Sequence, residues 1–324
     1  MNVFVTKQIP EAGIRLMKEA GLSVTIADQS LSREALISKL QDYEALLSAG
    51  FVKADAGFLE ACKHLKVLSL FSVGYDNVDI AAATRLGIPV GNTPGVLAKA
   101  TSDISFLLML AVSRKAIYNY LKIVDGKWQE FEPVADLGLE LYGKTLGIFG
   151  LGSIGFEMAQ KCKAAFGMQI IYHNRSRNQK AEQELGAGYV SFDGLLAQSD
   201  VLSVHANLSS ETRNIFNRSA FEKMKPNAIF INTARGGLHN EADLKAALDH
   251  KTIWGAGLDV TNPEPMAPDN PLLTMPSVCV LPHIGSATAE TRDQMAVLSA
   301  KNVIAGLKGD PLPTIVNPEV YQQS

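Results

Sequence analysis

The 324-residue sequence predicts an α/β protein made of two doubly wound parallel-sheet domains. Three observations carry this. Short, continuously apolar segments alternate with helical patterns from end to end, as in parallel sheets covered on both faces. The length exceeds what a single core of ordinary size needs. A glycine-rich turn follows one of the apolar segments and opens a helical pattern.

The strand candidates run in order through Val3-Phe4-Val5, Ala45-Leu46-Leu47, Val67-Leu68-Ser69-Leu70 and Leu146-Gly147-Ile148-Phe149. They continue with Ile170-Ile171-Tyr172, Val201-Leu202-Ser203-Val204, Ala228-Ile229-Phe230-Ile231-Asn232 and Val278-Cys279-Val280-Leu281. Residues 1–98 read as a first βα domain, and residues 100–114 as an amphipathic helix leading into the second. Residues 131–143, with Pro133, Gly138 and Gly143, read as an irregular arm. Residues 290–307 read as a last helix, and Gly309, Pro311 and Pro313 make the tail after it extended.

Composition narrows the function. Apolar residues make up 47% and charged residues 19%, as in an ordinary globular protein, and the formal net charge of −3 comes with no Lys/Arg run. Nucleic acid is therefore not an expected partner. The longest apolar run, near residues 106–112, is too short to cross a bilayer, and no secretory leader pattern is present. Cys62, Cys162 and Cys279 have neither metal-ligand nor disulfide spacing. The expectation is a cytoplasmic protein with no metal site.

The glycine turn is Gly150-Leu151-Gly152-Ser153-Ile154-Gly155, between a strand pattern and the helical run beginning at Phe156, with a further strand at residues 169–172. The first glycine permits a tight turn, the second lets a pyrophosphate approach the backbone, and the third lets helix and strand pack closely. N–H groups at the helix start favour an anion. Dinucleotide binding in a Rossmann-type domain is the expectation. An NAD site usually carries an acid about 20 residues beyond the glycines, for the ribose 2′-hydroxyl. Here the segment reads His173-Asn174-Arg175-Ser176-Arg177. Two guanidinium groups and a hydroxyl suit a 2′-phosphate, so NADPH is the expected cofactor, with NADH left open.

Three further motifs end or closely follow strands. Ile231-Asn232-Thr233-Ala234-Arg235-Gly236-Gly237 presents a guanidinium, Gly257-Leu258-Asp259-Val260-Thr261-Asn262-Pro263-Glu264-Pro265 a carboxylate between prolines, and Leu281-Pro282-His283-Ile284-Gly285-Ser286 an imidazole. Together with the glycine turn and Val73-Gly74-Tyr75-Asp76-Asn77, this ordered set resembles the signature of the D-2-hydroxyacid dehydrogenase family over nearly the whole chain. Asn174-Arg175-Ser176 and Gly285-Ser286-Ala287-Thr288 are similar to its glyoxylate/hydroxypyruvate reductase and 2-ketogluconate reductase branch.

The resemblance implies a Rossmann cofactor domain over residues 99–288. It implies a flavodoxin-like substrate domain over residues 1–98 and 289–324, with a cleft between the two. It also implies reduction of small 2-keto acids such as glyoxylate or hydroxypyruvate, and a homodimer. His283 would be the general acid, because an imidazole suits proton transfer near neutral pH. Glu264 would orient it and favour its protonated form, and Arg235 would clamp the substrate carboxylate. The N–H groups of Val73 and Gly74 would anchor that carboxylate a second time. Thr101, Thr233, Asp259 and Gly285 would join Gly150, Gly152, Ser153, Ile154, Gly155, Asn174, Arg175 and Ser176 around the cofactor.

Several features are set aside. His64, His173, His239 and His250 read as surface or capping groups, Trp128 and Trp254 as packing residues, and Arg292 as a solvent-facing helix residue. His205 reads equally as a cofactor-lining or a core group; Asn207 stands two residues beyond it, where the family often has proline. Formate dehydrogenases of this family carry Gln at the position of Glu264. Two alternatives stay open: another 2-hydroxyacid dehydrogenase activity, such as that on 2-ketogluconate, and a dinucleotide-sensing corepressor without turnover.

Overall fold

A computed structural model describes residues 1–322 and divides into two compact units, one of residues 1–97 with 286–322, the other of residues 98–285. The first unit carries β1 (Asn2–Val5), α1 (Glu11–Glu19), β2 (Ser23–Ile26), α2 (Arg33–Leu40), β3 (Ala45–Ser48), α3 (Ala56–Ala61), β4 (Val67–Leu70), α4 (Ile80–Arg85) and β5 (Val90–Gly91). All its strands pair in parallel, in the order β2-β1-β3-β4-β5. This is the flavodoxin-like winding, which places binding loops at the carboxyl ends of the strands. Every residue of β3 and β4 is buried, which is why both segments read as unbroken apolar runs. Burying each Leu here contributes roughly 1.5–3 kcal/mol.

Side-chain caps fix the helix starts. Ser32, Asp55 and Asp79 accept from the N–H groups of Ala35, Phe58 and Ala82. The last helix, Ala289–Lys308, is capped by Thr288 and packs on this unit's sheet, where Ser69 donates to the Ser299 carbonyl at 3.0 Å. The tail beyond it is anchored rather than merely extended. Ile315 bridges Gly91, and the fully buried Asn317 accepts from Val90 N and donates to the Ile88 carbonyl. Arg292 also departs from expectation. It is half-buried over the Phe71 ring and donates to the Ser286 carbonyl at 3.2 Å.

The second unit carries α5 (Ala98–Ser113), α6 (Ala116–Val124), β6 (Thr145–Phe149), α7 (Ser153–Phe166), β7 (Gln169–His173), α8 (Gln179–Leu185), β8 (Gly188–Tyr189) and α9 (Phe192–Gln198). It continues with β9 (Val201–Val204), α10 (Arg218–Glu222), β10 (Ile229–Asn232), α11 (Glu241–Asp249), β11 (Gly255–Leu258) and β12 (Val278–Val280). Its seven parallel strands run β12-β11-β10-β9-β6-β7-β8, so the order reverses beside β6, where a doubly wound sheet binds its ligand. One core cluster joins α5 and α7 to the sheet through Leu108, Met109, Ile148 and Met158; another gathers Phe216, Phe221 and Phe230 with Leu244.

α5 is more deeply buried than an amphipathic helix, with Thr101, Ser102, Ser105, Leu108 and Met109 all inside. Residues 125–144 contain no helix or strand, as expected of the arm, but they leave large apolar side chains in solvent. Trp128 is 65% exposed and packs into no core, contrary to expectation. Trp254 does pack against the first cluster, with the Lys115 ammonium 5.1 Å from its ring centre. Among the described residues no helix is long and apolar enough to cross a membrane.

Candidate active site

The site grows from the carboxyl edge of the second sheet. β10, β11 and β12 are neighbours in parallel register, with Asn232 beside Leu258 and Leu258 beside Val280. Adjacent strands lie roughly 4.8 Å apart, so the segments leaving them emerge side by side. Those segments carry Arg235, Glu264 and His283. The first two are drawn together further at Gly236, where any Cβ would collide with the Thr261 carbonyl oxygen. Only glycine lets the Arg235 turn lie against the backbone that leads to Glu264.

His283 and Glu264 meet directly. Nδ1 of His283 lies 2.6 Å from Oε1 of Glu264, with the His283 side chain 38% and the Glu264 side chain 23% exposed. The carboxylate fixes the ring orientation and leaves Nε2 as the nitrogen directed elsewhere. The His283 backbone sits in the left-handed region at φ 56°, a conformation costing of order 1 kcal/mol that surrounding bonds must offset. Asp259 supplies them. Its carboxylate accepts from Ile284 N at 2.8 Å and Gly285 N at 2.7 Å. Burial raises the Asp259 carboxyl above the usual carboxylate range, against the lowering effect of those two N–H groups.

The buried Asn232 braces Arg235. Its Oδ1 accepts from Ala234 N at 3.0 Å, and its Nδ2 donates to the Arg235 carbonyl at 2.9 Å and to His239 Nδ1 at 3.0 Å. Arg235 itself donates to the Ala234 carbonyl at 2.7 Å. Sequence reasoning missed both supporting residues. The signal for Asn232 was a polar side chain ending an otherwise apolar strand. His239 carries no such signal, and its expected surface role is corrected: it is fully buried, with Nε2 lacking a partner among the described residues.

Burial pushes the His239 imidazole down to about 4, so the folded protein resists its protonation. The unfolded chain takes that proton near pH 6.5, so His239 costs nothing above that pH and destabilises the fold increasingly as pH falls toward 4. Between pH 7 and pH 5 the unfolding free energy should lose about 2 kcal/mol through this residue alone. Denaturant titrations of His239→Val should show an acid loss smaller by that amount; equal losses in the two proteins would exclude the effect.

The glycine turn lies on the same sheet edge, after β6. Gly150 adopts φ 93°, and a Cβ on it would come within 2.6 Å of Ala206 N. Gly152 caps α7 with no side chain, and the space where its Cβ would stand is open. A helix start free of side-chain caps, facing open space, fits the pyrophosphate of a dinucleotide, with Ser153, Ile154 and Gly155 in its first turn. His205 packs beneath this turn, with Cδ2 3.4 Å from the Cβ position of Gly155, and bonds Ser203 at 2.8 Å.

Asn174 ties the turn in place. Its Oδ1 accepts from Leu151 N at 2.6 Å, and Asn178 Nδ2 donates to the Leu151 carbonyl. Arg175 and Ser176 are exposed and make no hydrogen bond or ion pair among the described residues, whereas Arg177 is bound to Glu182. Thr101 and Asp259 both lie within 3.4 Å of where a Cβ on Gly285 would stand, and Thr233 bonds Ser105 at 2.7 Å. In the first unit, Val73 and Gly74 follow β4 in a loop held by Asn92, which donates to the Val73 carbonyl, and by Ser72, which donates to that of Gly74. His250 takes its expected capping place at the end of α11, whereas His173 departs from a surface or capping role: half-buried at the end of β7, it stacks on Phe149 and Tyr189 and bonds the Val190 carbonyl at 2.9 Å.

The family described as D-isomer specific 2-hydroxyacid dehydrogenase, NAD binding domain, matches residues 106–285. A glyoxylate reductase of Thermococcus litoralis is 43% identical over 328 residues, covering 100% of this chain and 98% of its own. The crystal structure of a glyoxylate reductase from Paecilomyes thermophila is 35% identical, with a TM-score of 0.88 and 98% of each chain covered. An NADPH-dependent glyoxylate/hydroxypyruvate reductase from Sinorhizobium meliloti, solved with NADP and malonate, is 30% identical. Its TM-score is 0.85, with 98% of this chain and 97% of that one covered.

Proposed function

The chain belongs to the D-isomer specific 2-hydroxyacid dehydrogenase family, and from that membership we propose that it reduces small 2-keto acids, glyoxylate and hydroxypyruvate first among them, with NADPH. The observation that carries this reading is the 2.6 Å His283–Glu264 pair on the sheet edge that also presents Arg235 and the glycine turn.

When bound, the reduced nicotinamide supplies the hydride. The rest falls to the chain. His283 gives its Nε2 proton to the carbonyl oxygen as negative charge develops there. Glu264, on the other ring nitrogen, holds the ring's orientation. Arg235 takes the substrate carboxylate in a charge-assisted fork and polarises the neighbouring carbonyl. The N–H groups of Val73 and Gly74 offer a second anchor. Asp259 keeps the His283–Gly285 turn in its left-handed form, and Thr101, Thr233 and Gly285 line the nicotinamide side.

Residues 1–98 and 289–324 would form the substrate domain, and residues 99–288 the cofactor domain. The NADPH preference is supported by Arg175 and Ser176 and by the absence of an acid at the strand end. A cytoplasmic setting is supported by three buried, unpaired thiols.

Rates for glyoxylate, hydroxypyruvate, pyruvate and 2-ketogluconate, each with NADPH and NADH, test the proposal. The highest kcat/KM should fall on glyoxylate or hydroxypyruvate with NADPH; no turnover of any keto acid would leave a dinucleotide-binding protein without catalysis.

A homodimer through α6 and the arm completes the reading. Tyr120, Val124, Trp128, Phe131 and Val134 are all more than 60% exposed, Phe131 as much as 84%. Large apolar side chains left this exposed along one stretch of chain suit a surface that a partner covers. Replacing Phe131 and Val134 by Asp should halve the mass measured by light scattering, whereas an unchanged mass would place the interface elsewhere.

A further inference from the structure

We infer that Glu182 limits the chain's discrimination between NADPH and NADH by holding Arg177 back from the cofactor's 2′-phosphate. The inference rests on reading residues 174–177 as the adenosine-side loop, and it reassigns one of the two guanidinium groups that the sequence offers to that phosphate.

Arg177 lies under two restraints. Its Nε donates to Glu182 Oε1 at 2.9 Å and its Nη2 to Oε2 at 3.0 Å, a two-point fork. Its guanidinium also stands 5.9 Å from the Tyr189 ring centre, and the Tyr189 hydroxyl donates to the Asn174 carbonyl at 3.1 Å. An exposed ion pair usually contributes little, because both side chains give up freedom to form it. This pair differs in that one partner is fixed from below. The hydroxyl of Tyr172, whose residue is fully buried, donates to Glu182 Oε1 at 2.6 Å and accepts from Asn178 N at 2.7 Å. Asn178 in turn caps α8 and ties the glycine turn through the Leu151 carbonyl. Glu182 is thus part of the scaffold of the loop, and Arg177 is the more exposed member held by it.

The electrostatic consequence follows from charge. A phosphate near this loop meets Arg175 as an unneutralised cation but meets Arg177 already paired with a carboxylate. To use Arg177 it must break a bidentate contact, and it must also tolerate the Glu182 charge left behind. Discrimination therefore comes from Arg175 and Ser176, and Glu182 caps its strength. The neutral isostere at position 182 keeps an oxygen for Tyr172 while removing the charge that holds Arg177.

Dissociation constants measured by calorimetry for NADPH, NADH, 2′,5′-ADP and 5′-AMP test this without turnover. Arg175→Ala should weaken NADPH and 2′,5′-ADP by about tenfold and leave NADH and 5′-AMP unchanged. Arg177→Ala, which removes the guanidinium but leaves the Glu182 carboxylate unpaired, should weaken the two phosphorylated ligands by no more than about twofold and spare the other two. Glu182→Gln should tighten the two phosphorylated ligands several-fold and spare the other two, and adding Arg177→Ala to it should return the constants to those of the parent protein. A loss in Arg177→Ala as large as that in Arg175→Ala would overturn the inference, as would unchanged ratios in a folded Glu182→Gln. If Arg175→Ala weakens all four ligands equally, or none, the phosphate reading of the loop itself fails, whatever position 182 does.

Discussion

His283→Ala should lower kcat for keto-acid reduction by about 10²–10⁴-fold, the range spanned by a positioned general acid, while NADPH binding stays close to that of the parent protein. The geometry explains the separation. The imidazole meets Glu264 at 2.6 Å, and no part of it contributes to the glycine turn or to the Asn174–Leu151 contacts that shape the cofactor site. The backbone reason is equally specific. The Asp259 carboxylate holds the N–H groups of Ile284 and Gly285, so the turn keeps its form when the ring is removed. A stopped-flow comparison of the hydride step, with NADPH affinity measured separately, checks both halves. Unimpaired turnover would remove His283 from the proton path, and a matching loss of NADPH affinity would make it a structural residue.

Arg235→Ala should lower kcat/KM for a keto acid by about 10²–10³-fold, equivalent to roughly 3–4 kcal/mol of transition-state stabilisation by a charged donor. Most of the change should enter through KM, since a carboxylate anchor works in ground and transition states alike. Arg235→Lys should recover only part of it, because an ammonium keeps the charge but loses the planar fork. The distinguishing readout is the substrate's own charge. The methyl ester of glyoxylate, poor for the parent protein, should be affected far less by Arg235→Ala than the free acid. Equal losses on acid and ester would assign Arg235 to something other than the carboxylate.

The parts of this site that the sequence displays are those whose chemistry is local. The β6–glycine–α7 passage is legible because a tight turn, a close backbone approach and an uncapped helix start each demand glycine at a fixed spacing. Arg235, Glu264 and His283 are legible as polar residues immediately past apolar strands, which is where a parallel sheet presents its ligands. What the sequence hides depends on distant partners. The burial of His239 follows from its packing near Phe230 and its bond to Asn232, neither of which any periodicity announces. The capture of Arg177 by Glu182 depends on the buried hydroxyl of Tyr172 in β7, the strand before the loop. β2, β5 and β8 are edge or near-edge strands of two to four residues, too short for a pattern to separate from their loops. Trp128 looks like a core residue by type; only the structure shows that it faces outward from the arm.

The most direct test mixes the protein, preloaded with NADPH, with excess glyoxylate in a single turnover followed at 340 nm. The account predicts loss of one equivalent of absorbance per site, matched by one equivalent of glycolate, fast in the parent protein and slowed about 10²-fold or more in His283→Ala. Absorbance that stays constant in the parent protein, with NADPH demonstrably bound, would contradict it.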